Sequence, residues 1–146
     1  MIKNYSTKIS PTKTAGEIAE MLAGAGALRI HHEYAGGHIV SLTFSIMVNG
    51  QELFYRLPSR PNGVLETLRR DGAPKSLLTL EHARAVAWRI TKDWIDAQLA
   101  IIDAGSADLS EVFLPYMLDR QGRTFYEVLL SGELPLALGT GEETKS

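Results

Sequence analysis

The chain has 146 residues, 45% hydrophobic and 22% charged, enough to bury one core and too few for two. Its 17 acidic and 15 basic side chains leave a formal charge of -2, which excludes the positive field of a protein that coats nucleic acid along its length, so any anion-binding surface is local. The absence of cysteine removes disulfides, thiol nucleophiles and thiolate metal sites.

No apolar run of about 18 residues could span a bilayer, and the opening MIKNYSTKIS lacks the apolar centre of a secretory signal. A cytoplasmic protein with no membrane partner is the expectation. In chain order, Thr14-Ala-Gly-Glu17 has the spacing of a capping box, and Ile18, Met21, Leu22 and Ala25 recur at helical intervals. A short helix is predicted from Ala15 to Ala25, stopped by Gly24 and Gly26.

Three strands follow. Asn49-Gly50 suits a type I′ turn, which needs positive φ at both central residues, and closing the chain there sets Ile46 opposite Leu53, Phe44 opposite Tyr55 and Leu42 opposite Leu57. For the preceding loop, a two-residue turn at Gly36-Gly37 would set Ile30 opposite Thr43. A three-residue loop, Ala35-Gly36-Gly37, sets Ile30 opposite Leu42 and Leu28 opposite Phe44, and face matching favours it. The meander then carries Leu28, Ile30, Val40, Leu42, Phe44, Ile46, Leu53, Tyr55 and Leu57 on the face that helices must cover.

A short helix is predicted between Asn62 and Gly72, and a long one from the N-cap Thr79 to Gly105. Along the long helix, Ala83, Ala87, Ile90, Trp94, Ala97 and Ile101 form one apolar stripe and Trp88, Ile95, Leu99 and Ile102 a second. One sheet contact cannot fill so wide an arc, so the second stripe must meet the C-terminal segment or a second protomer. That segment holds Val112-Phe-Leu-Pro-Tyr-Met-Leu118, a polar turn at Asp119 to Arg123 and a helix from Thr124 to Leu130; GTGEETKS, from Gly139, reads as a solvated tail after a single domain 1–138.

The fold class is therefore α+β: a three-stranded antiparallel meander packed against a short N-terminal helix and a long helix, with a helical C-terminal segment.

Three of the 4 histidines lie in Arg29-Ile-His-His-Glu-Tyr-Ala-Gly-Gly-His38. Strand alternation puts His31 and Glu33 on the open face and His32 with Tyr34 and His38 on the other, so neither set supplies three metal ligands and no metal is expected. The same open face sets Arg29 and Arg56 on either side of Thr43, beside His31, Ser41, Ser45 and Phe54. Guanidinium groups, small hydroxyls and one aromatic ring make a seat for a phosphate or a stacked base; the plainer reading pairs Arg29 and Arg56 with Glu33 and Glu52 on a solvated face. Arg84, Arg89 and Lys92 read as a solvated helix face. Ser-His-Asp, HExxH and P-loop patterns are absent, which points to a protein that is not an enzyme and carries no cofactor.

The order helix, meander, long helix resembles that of double-stranded RNA-binding domains, although Ala35-Gly-Gly-His38 and Leu80-Glu-His-Ala-Arg84 stand where those domains carry a Gly-Pro-x-His loop and a lysine cluster. In KTAGEIAEMLAGAGA, FYRLP, AWRITKDWIDAQLAII and VFLPYMLDRQGRTFYE the chain is similar to small proteins of bacterial prophages and mobile elements. That resemblance implies a phage-type accessory protein and brings no catalytic residue.

The expected role is non-catalytic binding of nucleic acid or a nucleotide through Arg29, His31, Thr43, Phe54 and Arg56. The competing expectation is a protein-interaction module, such as an inhibitor of a host factor, that uses Trp88, Ile95, Leu99, Ile102, Phe113 and Tyr116. A homodimer through that stripe fits either.

Overall fold

The computed structural model of the protein describes residues 1–137 and 139; the expected domain end at Leu138 and, apart from Gly139, the expected tail lie outside them. The order is α1 (Pro11–Gly24), β1 (Arg29–Ala35), β2 (His38–Val48), β3 (Gln51–Pro58), α2 (Pro61–Arg70), α3 (Leu80–Asp103), α4 (Leu109–Val112) and α5 (Phe125–Leu130). Short 3₁₀ turns at Lys75–Leu77 and Leu114–Tyr116 connect them. This is the expected α+β arrangement, with the sheet in the order β1-β2-β3 and one core cluster joining its inner face to α1, α3 and the C-terminal segment. No helix among the described residues is long and apolar enough to cross a membrane.

Helix α1 starts at Pro11 rather than Ala15. Ser10 accepts a hydrogen bond from the Lys13 N–H, and Pro11 supplies the preset φ of a first helical residue, a stronger start than the Thr14 box. Thr14 is consequently buried inside the helix, where its hydroxyl lies 3.4 Å from the Arg89 guanidinium; Glu17 takes the same guanidinium at 2.6 Å. Arg89, expected on a solvated face, instead ties α3 to α1. Because Glu17 lies beside Arg89 and Met21 to Ala25 lie beside Asp96 to Asp103, the two helices run parallel.

The second hairpin has the expected register, with Phe44 opposite Tyr55 across Asn49-Gly50, both at positive φ. The first does not. Gly36 and Gly37, both at positive φ, close a two-residue turn that pairs Ala35 with His38; Val40 is then an extra residue, a β-bulge between the pairs Tyr34–Ile39 and Glu33–Ser41. The bulge restores face matching by a different route and sets Ile30 opposite Phe44. Ile39 therefore turns into the core and Val40 outward, while Leu28, expected inside, is 56% exposed.

Thr79 caps α3, accepting from the His82 N–H, and the helix runs 24 residues. Its second stripe is largely used within the chain. Trp88 and Ile95 are buried in the cluster that contains Ile18, Leu22, Leu42 and Phe44. Phe113 is also fully buried, edge-on to both Phe44 and Trp94 at 5.4 Å between ring centres. These three cannot serve as a contact surface for another molecule, which corrects that part of the sequence expectation: a segment distant in sequence fills the arc from inside.

After Phe113 the chain does not cross the open face of the sheet. It runs beside β3, where Met117 bridges Tyr55 and the Leu118 N–H donates to the Phe54 carbonyl at 2.7 Å. The β3 edge is thereby covered at Phe54 and Tyr55, and β1 has no such cover among the described residues.

Candidate functional site

The bulge changes the open face. Across the strands the rows are His31–Thr43–Arg56 and Arg29–Ser45–Phe54, so Arg29 and Arg56 do not flank Thr43 as a common seat. Glu52 forms an ion pair with the Arg29 Nε at 3.0 Å and accepts a hydrogen bond from the Ser45 hydroxyl at 2.6 Å. Arg29 is thus neutralised within the sheet by an acid of the plainer, solvated-face reading. The bulge also moves His38 to the face of His31 and Glu33, through its pairing with Ala35. Among the described residues no three His, Cys, Asp or Glu side chains converge on one point.

Arg56 leans the other way, toward the C-terminal segment. Its Nη2 donates to the Gly122 carbonyl at 2.9 Å and meets the Glu127 carboxylate at 3.4 Å. Gly122 lies in a hydrogen-bonded turn, in which Asp119 accepts from the backbone N–H groups of Gln121 and Arg123 and pairs with the Arg123 guanidinium. Arg123 also grips Glu133 with two nitrogens, at 2.8 and 3.2 Å. The Arg123 backbone N–H, ahead of its side chain, keeps the Asp119 carboxyl below the usual carboxylate range.

Between β3, α2, α3 and this segment lies a two-part cleft. The polar part, about 340 Å³, is lined by Arg56, Arg60, Tyr116, Thr124, Tyr126 and Glu127. The apolar part, about 350 Å³, lies against Leu57, Val64, Ala87, Ile90, Trp94 and Tyr116. Arg60 and Tyr116 belong to both. An aromatic chain supports the second wall: Tyr55 stacks on Phe44 at 5.2 Å, Phe113 and Trp94 follow edge-on, and Trp94 meets Tyr116 at 5.6 Å.

Arg60 is the N-cap of α2 and makes no ion pair among the described residues; the helix begins without a side-chain cap or an acid in its first turn. Unsatisfied N–H groups and the positive end of the helix dipole therefore add to the two guanidinium groups. Glu127 is the counterweight. It completes the capping box of α5, accepting from the Thr124 N–H at 2.8 Å, and that bond, then the Thr124 side chain, then Arg56 and Arg60, hold its carboxyl below the usual range.

Of the residues singled out from sequence, the cleft uses Arg56 and Tyr116. Arg29, His31, Thr43 and Phe54 stay on the sheet, and Arg60, Trp94, Tyr126 and Glu127 join instead. The adjacent Arg60-Pro61 was the available signal, an arginine immediately before a proline that opens a helix. Leu99 and Ile102 lie elsewhere, with Met21, in a groove of about 510 Å³ between the ends of α1 and α3, bordered by Asp96 and Asp103. No family model, curated protein or solved structure matches the chain.

Proposed function

We propose that the protein is a non-catalytic binder of a nucleotide or a nucleic-acid end, with phosphate on Arg56 and Arg60 and the base in the apolar part of the cleft against Trp94 and Tyr116. The observation that carries this reading is the junction of two arginines, one without an ion-pair partner among the described residues, with an aromatic hollow at an uncapped helix N-terminus. Each part lies at the small end of the range for ligand pockets, which suits one nucleotide unit and not a path along a duplex. The formal charge of -2 favours the same local contact.

Non-catalytic binding is favoured because the described lining offers no nucleophile paired with a base. Its carboxylate, Glu127, is hydrogen-bonded to Thr124, and among the described residues no histidine lines either part. The test is calorimetric titration with mononucleotides, inorganic phosphate and short single-stranded and duplex oligonucleotides. Mononucleotides and single-strand ends bind more tightly than phosphate alone, and Arg60→Ala and Arg56→Ala each weaken them about tenfold or more, the value of a charge-assisted hydrogen bond. Absence of binding, or affinity unchanged in both variants, removes the proposal.

A second reading rests on the groove between α1 and α3. Leu99, Ile102 and Met21 are apolar and partly exposed there, while Asp96, Asp103 and two helix C-termini make the rim negative. Such a groove suits a basic amphipathic helix of a protein partner, as an inhibitor of a host factor would engage. If a cationic amphipathic peptide does not bind, or binds equally well to Leu99→Asp, that reading fails.

A further inference from the structure

The two edges of the sheet differ. Met117 and Leu118 cover the middle of β3, whereas β1, Arg29–Ala35, has no strand on its outer side among the described residues; it has a bulge in its pairing with β2 and one charge of each sign, Arg29 and Glu33, but no proline, no lysine and no described helix laid across it. We propose that this edge pairs with the β1 edge of a second copy, antiparallel about a two-fold axis at His31, to give a continuous six-stranded sheet.

The choice of partner follows from the strand's own chemistry. Antiparallel partners share a face only when the register keeps side-chain parity, so self-pairing centres on one residue. Centred on His31, Arg29 faces the second copy's Glu33, Leu28 faces its Tyr34, and Ile30 faces its His32, each contact occurring twice. The Arg29 Nε is held by Glu52, but its terminal nitrogens have no partner among the described residues, and Glu33 forms no ion pair there. On the other face, Leu28 and Tyr34 are 56% and 54% exposed, large apolar side chains at opposite ends of the same edge. Self-pairing matches the unpaired acid with the half-used arginine and covers both exposed apolar groups.

Centred instead on His32, the strand would pair His31 with Glu33 and leave Leu28 beyond Tyr34, opposite Gly36. That register matches less of the exposed surface. The contact is also distinct from the Leu99 and Ile102 groove, where a symmetric dimer would bring Asp96 and Asp103 of two copies together. The nucleotide cleft lies beyond β3 at the far edge of the sheet, so each copy keeps its own.

The cysteine-free chain permits a direct test of register. Directly opposed residues of an antiparallel pair lie about 4.5–5.5 Å apart at Cα, within reach of a disulfide. Sedimentation should show a concentration-dependent dimer, and His31→Cys should cross-link to its own copy under mild oxidation, whereas Glu33→Cys, facing position 29, should not. Glu33→Arg, which places arginine opposite arginine twice, raises the dimer dissociation constant about tenfold; Arg29→Glu with Glu33→Arg restores it. Thermal melts of each variant at monomer concentration report whether the fold is intact. The wild type staying monomeric up to its solubility limit, or cross-linking through position 32 or 33 better than 31, overturns the proposal.

Discussion

Removing the Phe113 ring would separate the C-terminal segment from the rest of the core. The ring is fully buried, edge-on to Phe44 and to Trp94, and is three residues from Tyr116, which forms a wall of the cleft. Phe113→Ala deletes the whole ring at a site with fixed strands on one side and α3 on the other, so the cavity cannot collapse fully. A loss of about 4 kcal/mol is expected, within the range of roughly 3–5 kcal/mol for such truncations.

For a chain of 146 residues that loss lowers the melting temperature by roughly 10–15 °C. Urea unfolding followed by tryptophan fluorescence measures it directly, since Trp94 is in contact with the deleted ring. Phe113→Leu fills most of the volume and should cost about 1.5 kcal/mol while loosening Trp94 and Tyr116, so nucleotide affinity should fall more than stability does. If Phe113→Ala unfolds within about 1 kcal/mol of the wild type, well below the usual cost of such a truncation, the segment from 109 to 130 is not part of the cooperative core, and the cleft it walls is not preformed.

Three further outcomes are expected. Glu127→Gln keeps the capping-box acceptor but removes the carboxylate that competes for Arg56 and Arg60, so the affinity for anionic ligands by titration should rise roughly twofold to fivefold; weaker binding would mean that Glu127 contacts the ligand. Gly50 sits at φ 80° with open space where an alanine methyl group would stand, so Gly50→Ala should cost about 1–2 kcal/mol from backbone conformation alone, measurable by urea titration. Asp93 is held below the usual range first by the hydrogen bond from Asn4 and then by Lys3 and Arg89. A lowered folded value gives stability that is present above the unfolded value and is lost as pH falls through the folded one, so the advantage of the wild type over Asp93→Ala should shrink below about pH 4 in thermal melts.

Local signals in the sequence carry most of the architecture. Asn49-Gly50 sets the β2–β3 register, Thr79 the start of α3 and Thr124 the start of α5, because each acts through backbone atoms within a few residues of itself. The first hairpin departs from expectation because a bulge at Val40 keeps Leu42, Phe44 and Ile46 inward as a longer loop would and only exchanges Val40 for Ile39 in the core, so face matching between the apolar residues of the strands cannot distinguish them. The site is legible only in part. Arg56 stands out as a strand arginine, but its partners Gly122 and Glu127 reach it through the Met117–Tyr55 bridge, a pairing between residues far apart that no short-range pattern encodes. The burial of Trp88, Ile95 and Phe113 is hidden for the same reason, since an apolar stripe looks alike whether its cover comes from the same chain or another.

Where a nucleotide sits on the protein distinguishes the cleft from the open sheet face. In an NMR titration with a mononucleotide, the largest shift changes should fall on the Arg60 and Val64 amides, the Trp94 indole and Tyr116, and should vanish in Arg56→Ala with Arg60→Ala. Shifts confined to Arg29, Thr43 and Phe54 on the open face, or a spectrum unchanged at saturating nucleotide, would contradict binding in the cleft.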